Sequence, residues 1–467
     1  MNIIKRFHIP GLSISVIEGN LTFAKGYGMA EYPDEKATPE TLYYTGSTTK
    51  SFTAASTLIL IEESANSAQP SKLSTPISSL IREDFVLEDE YATTHVTLED
   101  ALSHRLGMPR HDLSYGGYNF TIRDIVRRLR YLPLSAELQT EWQYYNIMYV
   151  TISYVIETIT KTWLGEFLRI RIWAPLCMHS TFFSLRDAQK SEVADGPKLA
   201  RGYYWNNRTK EFIPQAFLDT PENSGAGNVI SNVLDYAKYL RALIDMDTRI
   251  LTKNSYRTLR QAKFLAPAPV GPLTLSGMYG LGWEVAIYRN AEVFSHGGSF
   301  ALMDRVFKTP IEDRYNWVAK FDRDGRIAQE LRNNATKRLY PDAPSSRNRL
   351  RPTLPLTSYT GTYTHPGYQN MTLTIVETYR ERTDSFTKQL HADVLERTWK
   401  HTLDFKHITG DYFIAWADAP KDNPNALFEG NVFKSQFRIN AEGKPYELGI
   451  AYEPKMDNDM IWFRRTM

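Results

Sequence analysis

The sequence predicts an α+β chain in two parts: a mixed domain over residues 1–340 and a small antiparallel β-barrel over residues 356–467, joined by a linker at 341–355. Three observations carry this. A strand pair opens the chain, and strand-like alternation returns only after a long stretch of helical pattern. Residues 341–355 hold four prolines and two adjacent serines and keep no period. Beyond them the pattern changes to short apolar alternations parted by turns.

Residues 11–18, Gly-Leu-Ser-Ile-Ser-Val-Ile-Glu, alternate as a half-buried strand does; Gly19-Asn20 is a turn, and residues 21–26 read as the returning strand. Residues 50–62 are rich in Ala, Leu and Ile with neither Gly nor Pro, which is a buried helix by length and composition. Helical segments follow at 97–104, 121–130 and 146–160. A further one spans 230–244, with Ser231 and Asn232 available to cap it. Strand-like alternation returns at 280–288 and 293–296. After the linker, seven short strands are expected, at 359–363, 371–378, 389–395, 413–417, 434–439, 447–452 and 460–463.

Composition removes several function classes. A chain of 467 residues with 42% hydrophobic and 23% charged residues is globular, not disordered. Its net charge of +2 argues against a surface that coats nucleic acid. The single cysteine, Cys177, excludes an internal disulfide and a thiolate metal site. No run approaches the roughly 20 apolar residues of a membrane helix. The N-terminal residues lack the apolar core of a signal peptide, so a cytoplasmic location is expected.

Three clusters carry chemistry. In Gly46-Ser47-Thr48-Thr49-Lys50, serine and lysine three residues apart share a helical face, so Lys50 can sit beside the Ser47 hydroxyl. A serine at a helix start also has peptide N–H groups close by, which favour developing negative charge. Ser-x-x-Lys alone is common and weak. The second cluster is Tyr144-Tyr145-Asn146. A tyrosine serves as a base only where a neighbouring cation stabilises its phenolate. Lys50 beside Tyr144 would do this, and the Asn146 amide would orient Lys50 or bind a substrate carbonyl. The third is Ser295-His296-Gly297-Gly298-Ser299, where the glycines let a ligand approach the backbone, leaving the Ser299 N–H free as an oxyanion donor. His296 would hydrogen-bond the tyrosine or a substrate.

In this order, the three clusters resemble the serine β-lactamase and penicillin-binding-protein superfamily, in its class C-like esterase and transesterase branch. Flanking sequence supports the resemblance over roughly residues 8–320: residues 44–53, the Leu-Ser-His-Arg-Leu-Gly-Met-Pro stretch at 102–109, Pro175-Leu176-Cys177-Met178, Ala226-Gly227-Asn228 and Tyr279-Gly280-Leu281-Gly282-Trp283. The resemblance implies a β-lactamase-like domain, an antiparallel sheet flanked by helices plus an all-helical region. The stretch Tyr359-Thr360-Gly361-Thr362-Tyr363 resembles the lipocalin-like β-domain that many members of this branch append.

The resemblance further implies an acyl-enzyme on Ser47, with Lys50 and Tyr144 sharing the acid–base work and the backbone N–H groups of Ser47 and Ser299 forming the oxyanion hole. Asn146, His296 and Gly298 complete the expected site. It implies no metal and no organic cofactor, and a small-molecule ester or amide as the partner. His296 stands where β-lactamases of this group carry a lysine, which shifts the expectation toward an esterase, amidase or acyltransferase acting on a less anionic substrate. Hydrolysis and acyl transfer share every one of these residues, and β-lactamase activity stays open.

Two other readings are weaker. Gly297-Gly298-Ser299-Phe300-Ala301 is one residue short of the nucleophile elbow of α/β-hydrolases, but that fold needs repeated βα units and residues after 355 read as antiparallel strands. A non-catalytic binding protein on the same scaffold predicts that the serine, the lysine or the tyrosine is missing, and all three are present.

Overall fold

The opening hairpin forms as the alternation requires. Gly11–Glu18 pairs antiparallel with Leu21–Glu31 around the turn at Gly19-Asn20, and Glu35–Lys36 adds a third strand. The computed structural model describes residues 2–117, 120–206, 209–266, 277–288, 290–297, 317–345, 347–380, 385–420 and 431–466. The chain folds as two units, Met1–Met108 with Phe120–Ser299, and Pro109–Asn119 with Phe300–Met467.

In the first unit the helix Thr49–Ser64 is buried along its first twelve residues, apolar and small polar alike. A helix buried all round cannot show a strong amphipathic stripe, which is why its sequence reads as uniformly Ala- and Leu-rich. Phe52 stacks on Tyr239 at 4.1 Å and meets Trp173 edge-on. Leu98–Leu102 and Ile122–Arg128 both open on a capping box, in which Thr97 and Thr121 accept from the third residue on, and Asp100 and Asp124 bond back. Asn146–Thr160 runs over the residues its pattern marks.

Two expectations need correction here. Residues 230–244 are not one helix: Ile230–Ser231 is a short strand paired with Tyr43–Tyr44, and Asn232 caps a helix that begins at Val233. Residues 280–288 are not one strand either. Met278–Tyr279 and Glu284–Tyr288 pair with each other across a turn that contains Gly282 at φ +72°. Phe264–Leu265, Met278–Tyr279, Glu284–Tyr288 and Ala291–Ser295 form a four-stranded antiparallel sheet.

The second unit contains a closed antiparallel barrel of eight strands in chain order, from Gly361–His365 to Ile461–Arg465, sealed where Tyr363 lies opposite Arg465. The seven expected strands are present with shifted ends. The eighth, His401–Thr409, was not expected. Leu373, Leu390, Leu403, Phe405, Phe413, Phe437 and Phe463 are among the residues buried in this unit. Closure leaves the barrel itself, among the described residues, no edge strand open to pairing with another chain. Among the described residues, no helix is long and apolar enough to cross a membrane.

Candidate active site

A change of helix type places Ser47. Gly46 takes φ +54°, Gly46–Thr48 winds a single 3₁₀ turn, and the α-helix Thr49–Ser64 begins directly after it. Ser47 is partly exposed, whereas Lys50, one turn further, is fully buried. A buried ammonium is costly unless its donors are satisfied. Lys50 Nζ donates to Ser47 Oγ at 3.2 Å, to Asn146 Oδ1 at 2.8 Å and to the Ala226 carbonyl at 2.9 Å. It also lies 4.8 Å from the centroid of the Tyr144 ring and 5.4 Å from that of Tyr149.

Each partner of Lys50 comes from a separate element. Asn146 is the first residue of Asn146–Thr160, and Ala226 sits in the short helix Ser224–Gly227. Gly225 holds that short helix in place: its N–H donates to Ser153 Oγ at 2.9 Å and its carbonyl accepts from Thr53 Oγ1 at 2.8 Å. A Cβ there would stand 2.3 Å from Ser153 Oγ and 2.6 Å from Thr53 Oγ1, so a larger residue forces the two hydroxyls that hold the short helix to move.

Tyr144 is the partly exposed member of a tyrosine cluster in which Tyr149 and Tyr279 are buried. Burial pushes the phenols of Tyr149 and Tyr279 well above their ordinary pKa of 10, so both stay protonated. His296 follows the strand Ala291–Ser295, with its ring centroid 6.2 Å from that of Tyr144 and 6.3 Å from that of Tyr279. Both of its ring nitrogens are buried and have no hydrogen-bond partner among the described residues. Burial first, and then the Lys50 charge, lower its pKa to about 3. The imidazole is therefore neutral near pH 7, offering one N–H and one lone pair.

The structure thus gathers Ser47, Lys50, Asn146, Tyr144 and His296. Gly298 and Ser299 lie outside the described residues. Sequence reasoning missed the Ala226 carbonyl as a partner of Lys50, and the Ala226-Gly227-Asn228 stretch was its only signal.

Residues 2–306 match the protein-family model described as beta-lactamase, and residues 345–465 match one described as a domain of unknown function, DUF3471. The chain is 34% identical over 500 aligned residues to an unguisins hydrolase of Aspergillus campestris, covering 98% of this chain and 89% of that protein. To an unguisins hydrolase of Aspergillus violaceofuscus it is 33% identical over 524 residues, covering 99% and 88%. Among solved structures it is similar in fold to the octameric penicillin-binding protein homologue of Pyrococcus abyssi. There the TM-score is 0.58 at 19% identity, over 99% of this chain and 98% of that one.

Proposed function

The chain belongs to the beta-lactamase family and is an enzyme of the serine hydrolase type, and from that premise we propose that it cleaves an ester or amide bond of a small molecule through an acyl-enzyme on Ser47. The observation that carries the proposal is the 3.2 Å bond from Lys50 Nζ to Ser47 Oγ, with Lys50 held from the other side by Asn146 and Ala226. An ammonium has three N–H groups, and three acceptors stand within reach of it. This arrangement suits Lys50 as a fixed cation and gives the base role to the Tyr144 oxygen. Ser47 Oγ attacks the acyl carbon as its proton passes to Tyr144, and the carbonyl becomes an oxyanion facing the Ser47 N–H. When the tetrahedral intermediate collapses, the Tyr144 proton goes to the leaving alcohol or amine. A water molecule then gives a proton to the same tyrosine as it attacks the acyl-enzyme, and that proton passes on to Ser47 Oγ as the acid leaves, which restores the serine hydroxyl and the Tyr144 phenolate.

Two observations bear on the substrate. The curated relatives that match nearly the whole chain are named unguisins hydrolases, which favours a substrate of that kind. The neutral His296 supports a substrate that presents an amide or another uncharged polar group to its ring, since the imidazole itself offers a carboxylate no charge.

A fluorophosphonate probe tests the assignment. It should label the wild-type protein and leave Ser47→Ala unlabelled, with both proteins folded. Lys50→Ala and Tyr144→Phe should each lower turnover of p-nitrophenyl esters or D-amino-acid amides by about 10²–10⁴-fold, the usual scale for a lost acid–base group. Labelling that persists in Ser47→Ala would falsify the nucleophile.

A further inference from the structure

We infer that His104 is a positioning residue that fixes the Tyr144 ring against Lys50 by holding the chain on both sides of it; the inference rests on the reading of Tyr144 as the base. Tyr144 does not stand on a helix or a strand. Residues 133–145 carry neither, and an irregular segment must find its backbone hydrogen bonds elsewhere.

Much of that support comes from residues 104–107. The carbonyl of His104 accepts from the Gln143 N–H at 2.9 Å, and His104 Nδ1 accepts from the Tyr145 N–H at 3.1 Å. Both peptide N–H groups flanking Tyr144 are therefore tied to one residue. The Arg105 carbonyl accepts from Gln139 at 2.8 Å, and that of Gly107 from Ser135 and Ala136, each at 3.0 Å.

His104 is built for this task. It is 2% exposed and takes φ +61°, a left-handed conformation that few non-glycine residues adopt and that marks an over-determined position. An Nδ1 that accepts a hydrogen bond puts the imidazole proton on Nε2. The ring centroid also lies 4.5 Å from that of Tyr144, so the same side chain holds the backbone and backs the phenol ring, which meets Lys50 Nζ at 4.8 Å. A displacement of about 1 Å in such an arrangement costs on the order of 10²-fold in rate.

Two substitutions separate this role from simple packing. Asn carries its Oδ1 where histidine carries Nδ1, so His104→Asn keeps the acceptor and loses the ring. His104→Phe keeps a ring and loses the acceptor. Both are made in the wild-type and Tyr144→Phe backgrounds and followed by ester turnover and by the rate of fluorophosphonate labelling. His104→Phe should lower kcat by about 10–100-fold, with KM within about threefold, while His104→Asn stays within about fivefold of wild type. On the Tyr144→Phe background, His104→Phe should cost nothing further, because the residue acts through the phenol. Turnover of His104→Phe at the wild-type rate, or an equal loss in both backgrounds, overturns the inference while leaving Ser47 as nucleophile. Absence of Ser47 labelling in the wild type overturns both. Should His104→Phe fail to fold, His104→Gln replaces it: its acceptor sits one methylene too far out, so Gln should lose the activity that Asn keeps.

Discussion

A neutral imidazole and an ammonium read different substrates, and position 296 decides which this site presents. With its pKa at about 3, His296 keeps one charge state across the physiological range. His296→Lys should raise kcat/KM for substrates with a free carboxylate beside the scissile bond by about tenfold or more relative to their amides, one charge-assisted bond being worth about 1.4 kcal/mol or more. Unchanged discrimination would mean that the side chain does not face the substrate. The sign of its effect on stability follows from the same shift. The folded value lies below the ordinary 6.5, so the contribution is present above pH 6.5 and is lost as pH falls toward 3. At this scale five side chains that the sequence singles out, Ser47, Lys50, Tyr144, Asn146 and His296, lie together in the fold. The Ala226 carbonyl that anchors Lys50 was not legible in the sequence, because every residue has a carbonyl and only the fold says where it points.

Between elements, the decisive contact is a glycine against a helix start. The turn that carries Gly282 presses on the first turn of Thr49–Ser64, where a Cβ would come within 2.7 Å of the Lys50 carbonyl and 3.1 Å of the Ser51 nitrogen. Gly282 also takes φ +72°, so any side chain adds strain to the clash. Gly282→Ala should cost about 1–3 kcal/mol in chemical denaturation, and kcat should fall with it because the displaced turn bears Lys50. An unaltered midpoint would show that the turn has room. The reading of 280–288 as one strand failed at this glycine, since apolar alternation continues through a turn that only the conformation reveals. The strand His401–Thr409 escaped notice for another reason. Its inward positions His401, Leu403, Phe405 and Ile408 are buried, but one of them is a histidine, and an irregularity between His407 and Thr409 breaks the two-residue period.

Over the whole molecule, chain order and compact unit part company at Pro109–Asn119, which belongs with the barrel unit far along the sequence. Gln369 Nε2 donates to the Ser114 and Gly116 carbonyls, and Trp399 Nε1 donates to Tyr115 Oη. None of these bonds has a sequence signature, since most end on backbone atoms. We propose residues 341–355 as the linker on composition alone. The stretch 109–119 also supplies His111 to a buried cluster in which Tyr368 Oη lies 2.6 Å from His111 Nδ1 and 3.2 Å from Glu453 Oε1. Burial, and secondly the nearby Asp112, push the Glu453 carboxyl from 4.5 up to about 8, with Arg110, Tyr368 and His111 opposing the rise. The folded protein therefore binds a proton between these values that the unfolded chain has released. Its stabilising contribution is full below pH 4.5 and is lost as pH rises through about 8, at about 1.4 kcal/mol per unit within the window. His365 and His401 act with the opposite sign. Their folded values lie at about 4, so their difference from the unfolded chain fades as pH rises past 6.5 and is the same in any variant that keeps both. Urea unfolding of the full chain at pH 6.5, 7.2 and 8.0 thus reads Glu453 with those two histidines set aside. Against Glu453→Gln, which stays uncharged in both states, the wild type should lose about 2 kcal/mol more across that range. Parallel pH curves for the two proteins would mean that Glu453 is already ionised in the fold and that its cluster with His111 and Tyr368 carries a charge at neutral pH.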